Sequence, residues 1–165
     1  MIGFQIHDIK LFMSGLLVQE IFDNFLVKEV DIVTFNRFTI DGYVNKEWYN
    51  SEEQEQIENR MYSKWKEVKP IALSLIKGNK TPSSFHMVFL ASENEKNRLL
   101  SSGNIGMSPE DVAALFINIR FERGELSVVT GTSLKVFSLD KAVDRLWDER
   151  IRAFFSSQKI AFEIV

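Results

Sequence analysis

The sequence predicts one soluble α+β domain in which a largely antiparallel sheet carries helices on one side. Three observations predict this class: segments that alternate with period 2, segments with helical spacing, and turn signals between short strands. The 165 residues are 45% hydrophobic and 26% charged, which is the composition of an ordinary globular protein. No repeat or linker divides the chain, so we expect a single domain over residues 1–165.

The N-terminal segment predicts a strand followed by a helix. Ile2, Phe4 and Ile6 alternate with polar or small residues, as in a half-buried strand. Asp8 has the side chain of an N-cap, and apolar residues then recur at helical spacing as far as Phe25. We therefore expect a helix that lies on the sheet.

The next segment predicts a hairpin and a long helix. Residues 29–40 are rich in β-branched and aromatic side chains, and Asp41-Gly42 is a strong signal for a two-residue hairpin turn. Ser51 opens a capping-box pattern, and apolar residues at helical spacing predict a helix that continues from it. Pro70 should break that helix, because proline lacks a backbone donor.

The second half alternates strands and helices. It predicts, in order, a buried strand over residues 85–91, a short helix capped by Ser92, a strand over 112–121, a hairpin turn at Arg123-Gly124, a strand from 126, a helix over 143–154 and a strand over 160–164. Hairpins mixed with long helices favour an antiparallel sheet over a parallel one.

Charge and cysteine content exclude several function classes. The net charge of −3 provides no global positive field, which argues against a nucleic-acid partner. No uncharged run approaches the roughly 18 apolar residues of a membrane span, and the N-terminus lacks the basic leader of a signal peptide. With no cysteine in the chain, we expect a cytoplasmic protein with no membrane partner.

Two segments could bind an anion. One is basic and runs from Arg60 to Lys80, and the other is a hydroxyl-rich turn with a nearby lysine. The candidate anion-binding residues are Lys77, Lys80, Thr130, Thr132, Ser133 and Lys135. The alternatives are a solvated face whose charges follow the helix dipole and a glycine bulge with turn-forming hydroxyls.

Histidines and aspartates supply the remaining candidates. His86 lies within the predicted buried strand and is a possible polar site, although a core histidine with satisfied hydrogen bonds is the alternative. Asp140, Asp144 and Asp148 share one helix face, where we expect a solvated face with an Asp148–Arg152 ion pair. We expect no metal site and no cofactor.

Several motifs resemble a known family. These are the segment from Trp65 through Pro70 to Lys77-Gly78, the pair Thr81-Pro82, the run from Thr130 to Lys135, and the stretch from Leu139-Asp140-Lys141 to Trp147-Asp148. Together they resemble DUF5721, a bacterial family of unknown function, over nearly the whole chain. The resemblance implies a single-domain bacterial protein, and it brings no activity, substrate or partner.

Two functions remain open at this point. The leading hypothesis is a non-catalytic binding or regulatory module for an anionic partner, contacted through residues 64–80 and the turn at residues 130–135. The alternative is an enzyme that acts on a phosphorylated or otherwise anionic small molecule. In that enzyme Lys77, Lys80 and Lys135 would hold the charge, and the residue near the reacting centre would be Thr132, Ser133 or His86. The two differ in whether these segments converge on a pocket that His86 enters. Oligomeric state is left open.

Overall fold

The computed structural model describes residues 1–57, 59–76 and 80–165. Seven strands form one antiparallel sheet in the order β3-β2-β4-β5-β6-β1-β7. The strands are β1 (Gly3–Ile6), β2 (Leu26–Val33), β3 (Arg37–Asp41), β4 (Ser84–Leu90), β5 (Val112–Glu122), β6 (Glu125–Leu134) and β7 (Phe162–Ile164). Helices are mixed with these strands along the chain, which confirms the predicted α+β class.

Five α-helices connect the strands. They are α1 (Ile9–Leu17), α2 (Ser51–Gln56), α3 (Trp65–Ile76), α4 (Glu93–Ser102) and α5 (Ala142–Ser157). Short 3-10 turns cover Lys46–Trp48 and Pro109–Asp111. Within the described ranges, no helix combines the length and the apolar character needed to cross a membrane.

The core lies between the helices and one face of the sheet. Along β4 the buried positions Phe85, Met87 and Phe89 alternate with half-buried ones, so each strand turns one set of side chains toward the helices. The ring of Trp65 in α3 packs on Phe89, with the ring centroids 5.0 Å apart. A single cluster of buried apolar residues joins the sheet to α1, α3 and α5.

The opposite face of the sheet is half-buried or exposed. A polar row runs across its seven strands in register, formed by Thr39, Asp31, His86, Arg120, Ser127, Gln5 and Glu163. An antiparallel sheet can leave one face in contact with solvent, because its short hairpins need no helix to cover that face.

The first hairpin lies elsewhere than the sequence predicts. The β2–β3 turn is formed by residues 34–36, where the backbone N–H of Thr34 donates to the carbonyl oxygen of Asn36. Asp41-Gly42 instead ends β3. A Cβ on Gly42 would lie 1.7 Å from the carbonyl oxygen of Val27, so this glycine permits a close backbone approach and does not form a turn.

The predicted long helix is also wrong. Asn50, rather than Ser51, caps α2, and its side chain accepts from the N–H of Glu53 in a capping box. The helix ends at Gln56, and α3 begins separately at Trp65. Pro70 lies inside α3 without breaking it. The carbonyl that loses its partner belongs to Lys66, an exposed residue, so water can satisfy it.

Two local predictions are confirmed. The side chain of Asp8 accepts a hydrogen bond from the N–H of Leu11 and caps α1, although the helix ends at Leu17 and not near Phe25. Arg123 and Gly124 both have positive φ, 55° and 76°, as the tight turn between β5 and β6 requires.

Candidate functional site

Two of the three hydroxyls of the predicted anion-binding turn already have carboxylate partners. Thr130 is fully buried and donates to Asp148, and Thr132 donates to Asp144. Both aspartates project from α5 toward β6. A ligand anion at these hydroxyls would therefore meet two carboxylates, which makes the turn a poor anion cradle.

The aspartate face of α5 is not a solvated one, and that prediction is corrected here. Asp148 is buried, and its second oxygen lies 3.1 Å from the ammonium group of Met1. Arg152 pairs with Glu149 at 3.3 Å instead of with Asp148. The reason is that the Asp144–Asp148 face packs on β6, where Thr130 and Thr132 satisfy the carboxylates.

The other predicted anion-binding residues lie apart. Lys80 precedes β4 at the end of the sheet where Ser84 pairs with Glu122. Ser133 and Lys135 are exposed at the opposite end, and the N–H of Lys135 donates to the carbonyl oxygen of Asp111. Ser133 pairs with Ala114, eight residues along β5 from Glu122, so about 26 Å of strand separates the two ends at ~3.3 Å per residue. Lys77 falls outside the described residues, and anion binding by the others stays a prediction.

His86 lies on the half-buried face of the sheet. Its Nε2 atom is 3.3 Å from Oδ1 of Asn118, and Asp31 and Arg120 flank it on the neighbouring strands. Since it faces away from the helices, it is not a core histidine. It does not line the cleft described next.

A cleft of about 820 Å³ lies where β4 leads into α4. Its volume is within the ~300–1,000 Å³ of small-molecule sites. We call it the α4 cleft. Five parts of the chain line it: residues 21–26, the segment before α3 that includes residues 59–62 and Lys64, the junction from Leu90 into α4, Ala113 and Ala114 of β5, and α5.

The first turn of α4 is fixed by its cap and by ion pairs. The hydroxyl of Ser92 accepts from the N–H of Glu95, as its sequence pattern predicts. Glu95 also accepts from Nε of Arg150 at 2.7 Å, which ties α4 to α5. Lys96 is buried, and its ammonium donates to the carbonyl oxygen of Val112 at 2.8 Å, which ties α4 to β5. The cleft wall is therefore held rigidly.

Glu67 organises the opposite wall. Its carboxylate accepts from Arg60 at 2.7 Å and from the backbone N–H of Lys64 at 2.9 Å. Burial raises the pKa of Glu67, but these two hydrogen bonds outweigh it, and the pKa lies below its ordinary value. Glu67 thereby holds both cationic residues of this wall in place.

Cations outnumber carboxylates around the α4 cleft. Among the described residues that line it, the cations are Arg60, Lys64, Lys96, Arg98 and Arg150, and the carboxylates are Glu93 and Glu95. Glu67, which pairs with Arg60 in the same wall, reduces the local surplus to two positive charges, in a protein whose net charge is −3. A concave surface of one charge sign concentrates the field that a counter-ion meets.

Sequence reasoning found only part of this site. Arg60 and Lys64 belong to the basic segment predicted from the sequence, whereas Lys96, Arg98 and Arg150 lie outside it. Each of these three cations lies in α4 or α5 and has mostly acidic residues near it in the sequence. A charge count along the chain does not separate such a cation from an ordinary surface ion pair.

Metal binding has no support in the described ranges. There, no group of three or more histidine and carboxylate side chains lies close enough together to hold a metal ion. The three aspartates of the α5 region do not converge, because Asp144 and Asp148 are each engaged by a threonine.

Comparison with known proteins gives one family match. The sequence matches the family of unknown function DUF5721 over residues 15–163, in agreement with the resemblance of its motifs. Neither the curated proteins nor the solved structures give a significant match. Because the match covers nearly all 165 residues, the chain belongs to the family of unknown function DUF5721.

Proposed function

We propose that this protein is a non-catalytic binding module and that its ligand is an anionic molecule held in the α4 cleft. One observation carries the proposal: five cationic side chains from three separate parts of the chain surround one concave site. Charged groups on a surface are ordinarily dispersed, whereas these converge on a volume suited to a ligand.

The fixed geometry of the walls also supports binding. Arg60 is held by Glu67, and Arg150 by Glu95. A cation that is already positioned loses less side-chain entropy when it meets a ligand. The ligand anion can therefore bind without reordering the site.

The position of the histidines favours binding over the enzymatic alternative. Neither His7 nor His86 lines the α4 cleft. His86 lies on the other face of the sheet, where Asp31 and Arg120 flank it. A general base must lie within hydrogen-bond reach of the group it deprotonates, and a histidine on that face lies outside such reach of a ligand in the cleft.

A thermal-shift titration of the full chain tests the proposal. The probes are inorganic phosphate, citrate, AMP and decanoate, because a ligand that binds only the native state raises the melting temperature. We expect at least one probe to raise it by several degrees at low salt, and to do so less at 0.5 M NaCl. No shift with any probe would overturn the proposal.

Two double variants locate the site. Lys64→Gln with Arg98→Gln removes two cations from the cleft, and we expect it to weaken binding of the active probe at least tenfold. Lys80→Gln with Lys135→Gln removes two exposed lysines outside it and should leave binding unchanged. If the second variant alone abolishes binding, the ligand binds to the residues that the sequence singled out, and the cleft is not the site.

We place this activity in the cytoplasm of a bacterial cell. The lack of cysteine fits a reducing compartment. Fractionation of cells that express the tagged chain tests this location, and recovery in the membrane or external fraction would contradict it.

A further inference from the structure

The floor of the α4 cleft is apolar. Phe25, from the segment before β2, and Phe154, from the last turns of α5, are both half-buried, and their ring centroids lie 5.9 Å apart in an edge-to-face arrangement. Beneath them lies the fully buried ring of Phe22, which contacts both. The two rings are thus fixed from below while their outer parts line the cleft.

A cationic residue lies close to each of these phenylalanines along the backbone. Arg150 precedes Phe154 by four residues on α5, so the two side chains lie on the same face of that helix. Lys64 forms a β-bridge with Leu26, the residue after Phe25, and both Lys64 and Phe25 line the cleft. The lining therefore combines cationic and apolar residues on two of the cleft walls.

A small, fully hydrophilic anion would use only part of this site. It could reach the cations, but the rings of Phe25 and Phe154 would remain in contact with water. Covering apolar surface is favourable in proportion to the area removed from water. The best complement is one molecule with an anionic head and an apolar body.

We infer that the natural ligand is an amphiphilic anion, a carboxylate or phosphate carried on a hydrocarbon body that lies over Phe25 and Phe154. This inference rests on the proposed function and names the class of ligand for the same cleft. The head pairs with Lys64, Arg98 or Arg150 at the rim, and the body replaces water on the floor.

Isothermal titration with a series of alkyl carboxylates tests the inference. Hexanoate, octanoate, decanoate and dodecanoate, each below its micelle concentration, share one head and differ only in chain length. We expect the affinity to rise about fourfold for each added methylene until the floor is covered. Decyltrimethylammonium, which has a similar chain and a cationic head, should not bind.

Two variants tie the chain-length effect to the floor. Phe154→Gln should flatten the dependence on chain length, while the matched change Phe137→Gln, at a side chain that is 90% exposed outside the cleft, should not. Because Phe154→Gln can also weaken the fold, Ala113→Trp serves as a second variant. Ala113 is an exposed residue that lines the cleft, so a large ring there blocks the floor without replacing a buried group.

The outcomes separate the inference from the proposed function. If hexanoate and dodecanoate bind equally well, the ligand is hydrophilic, and the inference fails while anion binding in the cleft stands. If the chain-length effect persists in Ala113→Trp, the apolar contact lies elsewhere and the inference also fails. If none of the anions binds, phosphate and AMP included, both the inference and the proposed function are wrong.

Discussion

The hydroxyl of Thr130 donates a hydrogen bond to the carboxylate of Asp148, and the pair is buried where β6 meets α5. The same hydroxyl oxygen accepts from the backbone N–H of Ile2 at 2.9 Å. A single side chain thus links the residue before β1, strand β6 and the last helix. A buried carboxylate depends on such partners, because burial without them is costly.

Thr130→Val should destabilise the fold by about 1–3 kcal/mol, since it keeps the shape of the side chain and leaves Asp148 with one hydrogen bond fewer. Thr130→Ser retains the hydroxyl and should recover most of the loss. Urea unfolding followed by circular dichroism measures both. A valine variant as stable as the wild type would show that the hydrogen bond contributes nothing.

Gly42→Ala should be strongly destabilising, by about 2–4 kcal/mol or more, because its Cβ would overlap the carbonyl oxygen of Val27 and the backbone would have to move. Gly106→Ala is the matched control: a Cβ there meets nothing within 4 Å, so its effect should stay within about 0.5 kcal/mol. The melting temperatures of the two variants test this prediction. Equal values would contradict the role of Gly42 in permitting the close backbone approach to Val27.

Glu67→Gln should reduce the pH dependence of stability. The pKa of Glu67 is lowered in the folded chain from an ordinary value of 4.5, so the unfolded chain takes up this proton first as the pH falls. The stabilisation is therefore present above about pH 5 and is lost as the pH drops through the folded pKa. Urea titrations at pH 7 and pH 4 should show a smaller difference for the variant than for the wild type.

Asp31 provides the control for that measurement. A hydrogen bond from Arg37 lowers the pKa of Asp31 too, so some pH dependence should survive in Glu67→Gln. The Asp31→Asn variant should remove a separate part of it. An unchanged slope in the Glu67 variant would mean that its ion pair with Arg60 is too solvated to affect folding.

Local sequence signals predicted those parts of the fold in which one short segment determines its own conformation. Arg123-Gly124 forms the expected turn because two adjacent positive φ angles suffice for it. Asp41-Gly42 carries a similar signal, yet a contact with Val27 explains its glycine. Sequence alone does not distinguish a glycine needed for a turn from one needed for a close tertiary approach.

The candidate site was less predictable for a related reason. The α4 cleft is assembled from five stretches of chain between residues 21 and 154, and no motif spans them. Phe25 and Phe154 fit a helical core pattern equally well, since both residues are partly buried and pack against the core. Strand order decides which distant segments meet, and that order was not readable from periodicity.

The place of β1 between β6 and β7 has a consequence for biosynthesis. Gly3 pairs with Val129, so the first strand made cannot find its neighbour until more than 120 further residues have left the ribosome. At roughly 5–20 residues per second, that delay is about 6–25 s. Throughout it, Phe4 and Ile6 lack the β6 strand that pairs with them in the folded protein.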